Sequence, residues 1–98
     1  MRALMRKPTL PEAYALSFRF YRKGMKLSAI KAADAMGMTK QNISSIETFR
    51  SQLTLKGLEL FLKEYSIPVE TFHNTVHSFL VMELIQIEDQ FSKNDSKT

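Results

Sequence analysis

The chain has 98 residues, enough for one domain with a modest core. It is 44% hydrophobic and 24% charged, too apolar for a disordered chain, and it has no Cys, which excludes a disulfide scaffold and any thiolate metal site. Its formal charge of +4 is uneven: residues 1–50 hold ten Lys or Arg against three acids (Glu12, Asp34, Glu47), and residues 51–98 hold four against seven. A basic half joined to an acidic half points to one face turned toward a polyanion. The first seven residues are basic but lack the apolar run of a signal peptide. The most apolar stretch, residues 79–87, is interrupted by Glu83 and Gln86 and is far short of the roughly 20 residues that cross a bilayer. The expectation is a cytoplasmic protein with no membrane partner.

Residues 1–8 carry charge without periodicity and read as a flexible basic arm. Arg2, Arg6 and Lys7 there suit either a minor-groove arm or a plain unstructured start. Thr9, Pro11 and Glu12 mark a helix start, with Thr9 as cap and Glu12 three residues on. The first helix then runs to about residue 23. Leu16, Phe20 and the tyrosines Tyr14 and Tyr21 sit at helical spacing, and Gly24 stops it. Ser28 caps a second, Ala-rich helix that ends at Gly37. Thr39 caps a third over about residues 40–48, with Ile43 and Ile46 inward and Lys40, Gln41, Asn42, Ser44 and Ser45 outward. A loop over residues 49–53 leads to Thr54, which caps a fourth helix over about residues 55–65. There Leu55, Leu58, Leu62 and Tyr65 repeat at helical spacing beside Phe61. Pro68 precedes a short fifth helix over about residues 69–77. Residues 78–91 read as either a helix with Leu80, Leu84, Ile87 and Phe91 on one face or, from their Val, Ile and Phe content, a strand. Residues 92–98 form a polar, disordered tail.

Two short helices joined by a tight Gly-containing turn make a helix-turn-helix, here over residues 28–48. Ala33 suits a close helix crossing, and Gly37 suits the positive φ of the turn. The outer side of the third helix is then free to enter a DNA major groove about 12 Å wide.

Residues 27–47 resemble the Cro and phage-repressor type of helix-turn-helix, the XRE family. Ser28, Ala33, Gly37, Thr39, Ile43, Ile46 and Glu47 fit its pattern. The resemblance implies an all-α, five-helix, lambda-repressor-like domain over residues 9–77 with a C-terminal helix or strand extension. It implies base contacts from Lys40, Gln41, Asn42 and Ser45, and phosphate contacts from Thr39, Ser44, Lys26, Lys31 and Arg50. It also implies an ion pair between Arg22 and Glu47 that positions the third helix. The chain departs from the pattern at Ala29, where the family usually has a DNA-contacting Gln. It departs again at Thr48-Phe49, where Asn-Gly is usual, so the following loop is expected to take a different shape.

The predicted partner is a double-stranded DNA operator, bound as a homodimer with Leu80, Leu84, Ile87 and Phe91 at the interface, although those residues could instead complete the core. The predicted activity is that of a transcriptional repressor. The alternative is a protein-binding regulator, an antitoxin or adaptor, that uses the apolar C-terminal segment for its partner. No cofactor is implied. His73 and His77 stand at i, i+4 but have no third ligand at suitable spacing, so no metal is expected. Phosphate-binding loops, nucleophile motifs and paired acidic motifs are missing, which argues against an enzyme.

Overall fold

The computed structural model describes residues 5–81 and 85–86. They form an all-α domain of five helices with a two-residue antiparallel ladder. The elements are β1 (Met5–Arg6), α1 (Leu10–Gly24), α2 (Ala29–Met36), α3 (Lys40–Glu47), α4 (Leu55–Glu64), α5 (Val69–Val81) and β2 (Ile85–Gln86). No helix among the described residues is long and apolar enough to cross a membrane.

Each of the first four helices starts on a Ser or Thr whose side chain accepts a backbone N–H three residues on. These caps are Thr9 to Glu12, Ser28 to Lys31, Thr39 to Asn42 and Thr54 to Gly57. Each bond satisfies one of the N–H groups that a helix start leaves without an intrahelical acceptor. Each of the same four helices is followed by a residue in the left-handed region: Lys26 (φ 57°), Gly37 (φ 68°), Phe49 (φ 66°) and Ser66 (φ 52°). The next N–H then reaches back to close the end, as in Leu27 N to Arg22 O at 3.0 Å and Ile67 N to Leu62 O at 2.9 Å. Gly24, expected to stop the first helix, remains helical. The turn comes two residues later, at Lys26.

The core is built around Phe18, Phe61 and Phe72, all fully buried, with Phe18 and Phe61 edge to face at 4.8 Å. α1 packs on α5 and α3, and α2 packs on α3 and α4. Buried Ala13, Ala15, Ala32 and Ala33 leave room for these crossings. Phe20, which shares its helical spacing with Leu16, is nevertheless 58% exposed. Two residues separate it from Phe18, a rotation of about 200° on a helix, so the two rings cannot share one face. Leu55 is in angular line with Leu62 but two turns earlier, at the open end of α4, and is also exposed.

The C-terminal segment resolves differently from either alternative. α5 continues past residue 77 without a break to Val81, and Ser78 Oγ donates to Asn74 O at 3.1 Å within it. Ile85–Gln86 is then a strand, pairing Met5 with Gln86 and Arg6 with Ile85. The expected arm is therefore tied down from residue 5. Pro8 is buried, and Lys7 Nζ reaches Leu80 O at 3.5 Å. Leu80, expected at a dimer interface, is half-buried against the protein's own core. Leu84, Ile87, Phe91, residues 1–4 and the tail at 92–98 lie outside the described residues.

Candidate nucleic-acid interface

α2 and α3 are joined by Gly37, Met38 and Thr39. Gly37 takes the left-handed conformation at no side-chain cost, and Met38 N donates to Ala33 O at 2.9 Å. Met38 rests on the core, and Thr39 starts α3. Ile43 and Ile46, 0% and 2% exposed, anchor α3 from below. Its other side presents exposed Lys40, Gln41, Asn42 and Ser44, with Ser45 half-buried. The helix surface predicted to face DNA is thus exposed and polar.

Two of its residues have a second task. Asn42 Oδ1 accepts from Thr39 N at 3.0 Å and from Thr39 Oγ1 at 3.1 Å, while Thr39 Oγ1 accepts from Asn42 N at 3.2 Å. This capping box occupies the amide oxygen that a bidentate contact with adenine needs, so only the Asn42 NH2 is left to donate. The structure makes Asn42 a capping residue first. The Thr39 hydroxyl is likewise engaged. The groups at this end that suit a phosphate are the backbone N–H groups of Lys40 and Gln41, in the first turn of α3. Ser45 is tucked where the chain turns back, its carbonyl accepting from Arg50 N at 2.8 Å and Ser51 N at 3.1 Å.

Lys26, Lys31 and Arg50 are all exposed. They occupy the turn before α2, the first turn of α2 and the loop after α3, so cations flank the helix-turn-helix at its entry and its exit.

Arg22 and Glu47 form a bidentate pair, Nε to Oε2 at 2.6 Å and Nη2 to Oε1 at 2.8 Å, and Arg22 Nη1 donates to Leu27 O at 2.7 Å. One guanidinium therefore links the end of α1, the lead-in to α2 and the end of α3. The hydrogen bond to Glu47 raises the Arg22 pKa above its ordinary value, against the opposing effect of burial and with help from the carboxylate's charge. The side chains are 14% and 10% exposed, so the pair is largely shielded from water. Arg19, which drew no attention in the sequence, has its Nε 4.0 Å from Glu47 Oε1. Its position three residues before Arg22, on the same helix face, was the available signal.

No family model, curated protein or solved structure matches the chain.

In the loop after α3, Phe49 adopts a left-handed conformation, φ 66°, a region that favours Gly. Its side chain packs on Leu16, and that burial offsets a steric cost of about 1–2 kcal/mol. Of the two histidines, His73 is engaged: its Nε2 lies 3.1 Å from Tyr14 Oη, and the two rings meet edge to face.

Proposed function

We propose that the protein is a sequence-specific double-stranded DNA-binding transcriptional regulator, a cytoplasmic repressor that binds a palindromic operator as a homodimer. The observation that carries this reading is the exposed polar face of α3, fixed from below by Ile43 and Ile46 and at its end by the Arg22–Glu47 pair. A rigid helix with short and amide side chains fits a major groove without a large entropy loss. Lys40 would donate to guanine O6 and N7, and Gln41 would pair with adenine through both amide atoms. Lys26, Lys31 and Arg50 would neutralise phosphates, setting register but not sequence. Repression then follows from occupancy: a protein seated on an operator excludes other proteins from the same groove. The second subunit would dock on the apolar C-terminal segment, residues 78–91.

Selection of bound sequences from random duplex DNA tests the reading. The expected product is a palindrome whose half-sites lie about one DNA turn apart. Gln41→Ala should lose about 1–3 kcal/mol at one base position, whereas Lys31→Ala should weaken all sequences alike and flatten the salt dependence. Failure to enrich any sequence, with binding insensitive to both substitutions, overturns it.

A further inference from the structure

A groove runs along the outer side of α4 to the start of α5. Leu58 and Leu62, each 5% exposed, form its floor with Ile67 and Pro68. Leu55 at one end and Val69 at the other are 77% and 56% exposed, so apolar surface stands in water at both ends. Glu59 and Lys63 also line it, one helical turn apart. We propose that this groove is where two copies of the chain meet, α4 against α4 in antiparallel order about a two-fold axis.

The order of side chains along α4 carries the inference. Leu55, Glu59 and Lys63 follow one another at four-residue spacing and share one face. A two-fold axis at the level of residue 61, midway between the two charges, reverses that order in the second copy. Glu59 of each copy then stands opposite Lys63 of the other, which gives two unlike pairs from one contact. Leu55 lies about 9 Å along the helix before the axis, and Ile67 lies as many residues after it. The exposed Leu55 of each copy therefore reaches the end of the other's groove, where Ile67 and Val69 offer apolar surface.

Both charges are available for this pairing. Their i, i+4 order could join them within one helix, yet among the described residues no hydrogen bond or ion pair engages either side chain. The other charges of α4, Lys56 and Glu64, do not line the groove. His73 does, and its Nε2 is already held 3.1 Å from Tyr14 Oη. The groove thus presents one acid and one base. A partner of a single charge sign leaves one of them opposed, and duplex DNA would face Glu59 and give Leu55 and Val69 no apolar surface. A second copy matches both charges and both apolar ends. The contact is separate from the one placed on residues 78–91 and does not depend on α3 reading DNA. A chain that uses both self-contacts assembles beyond a dimer.

Sedimentation of the full chain without DNA tests the proposal. The wild-type chain should self-associate as its concentration rises. Leu55→Arg should weaken that association by about tenfold or more. Glu59→Lys and Lys63→Glu should each do the same, because each sets two like-charge pairs across the axis, and their effects should shrink in high salt. The double variant Glu59→Lys/Lys63→Glu restores unlike pairs and should recover most of the lost association. All three positions are exposed, so helical circular dichroism should match wild type in every variant. A chain that stays monomeric at every concentration, which would leave the groove to its own residues 87–98 or to a different protein, overturns the proposal. So does association that is indifferent to Leu55→Arg, as expected if residues 78–91 alone hold the copies together. A double reversal no better than the single ones overturns it as well.

Discussion

Replacing Glu47 with Gln leaves the Arg22 guanidinium with Leu27 O at 2.7 Å but without a charged partner, in a place where its side chain is only 14% exposed. Exposed ion pairs contribute about 0.2–1 kcal/mol, and breaking a fully buried one costs about 3–5 kcal/mol. Two short, charge-assisted bonds with most of the pair shielded place Glu47→Gln between these limits, at about 2 kcal/mol. For a domain of this size that lowers the midpoint of thermal unfolding by roughly 8–16 °C. Urea unfolding followed by helical circular dichroism measures the cost, with an unchanged slope showing that stability and not compactness has moved. The double variant Arg22→Met/Glu47→Leu removes both charges, and should cost less than the sum of the single substitutions by about 1.5 kcal/mol or more. A single-variant cost below about 0.5 kcal/mol, or simple additivity, refutes the assignment of a coupled, shielded pair. The sign of the Arg22 shift adds a condition. A raised pKa means that its contribution is complete below the ordinary arginine value and is lost only above the still higher folded value. Arg22 should therefore introduce no pH dependence of stability around neutrality.

Three further outcomes follow from local geometry. Gly37→Ala forces a side chain into φ 68° and should destabilise by about 1–2 kcal/mol, read as a lower urea midpoint. Ser66→Gly relieves the same strain at an exposed turn and should stabilise by about 0.5–1 kcal/mol, read as a higher melting temperature. Asn42→Asp keeps the acceptor that closes the capping box and places a negative charge at a helix start, so stability should rise by about 0.3–1 kcal/mol. The same carboxylate would face phosphates, so duplex affinity measured by anisotropy should fall. Parallel changes in stability and affinity would contradict the two tasks assigned to this residue.

What the sequence reveals depends on how far each interaction reaches. The caps at Thr9, Ser28, Thr39 and Thr54 are readable because each bond spans three residues. The capping task of Asn42 was readable by the same rule, three positions after Thr39, but its amide also fits a base, and residue type alone does not rank the two. The turns at Lys26, Phe49 and Ser66 carry no such mark. Their left-handed conformations are set by how the flanking elements meet rather than by residue type, and at Phe49 the seating of the side chain on Leu16 contributes. Periodicity placed α1 but not its rotation, because Phe18 and Phe20 are equally apolar and only the neighbouring helices decide between them. The Arg22–Glu47 pair spans 25 residues and was suggested by resemblance alone. The pairing of Met5–Arg6 with Ile85–Gln86 had no local signal at all.

That pairing has a consequence for the order in which the domain assembles. α2 meets α3 and α4, its close neighbours along the chain, whereas β1 meets β2 across a loop that contains all five helices. Closing a loop of roughly 80 residues carries a chain-entropy cost that a two-residue ladder cannot meet by itself. The contact of α1 with α5 has to bring the two ends together first. The ladder is thus the last contact made and the first released. Hydrogen exchange at Met5–Arg6 and Ile85–Gln86 will report when the α1–α5 contact loosens, long before the helix-turn-helix opens.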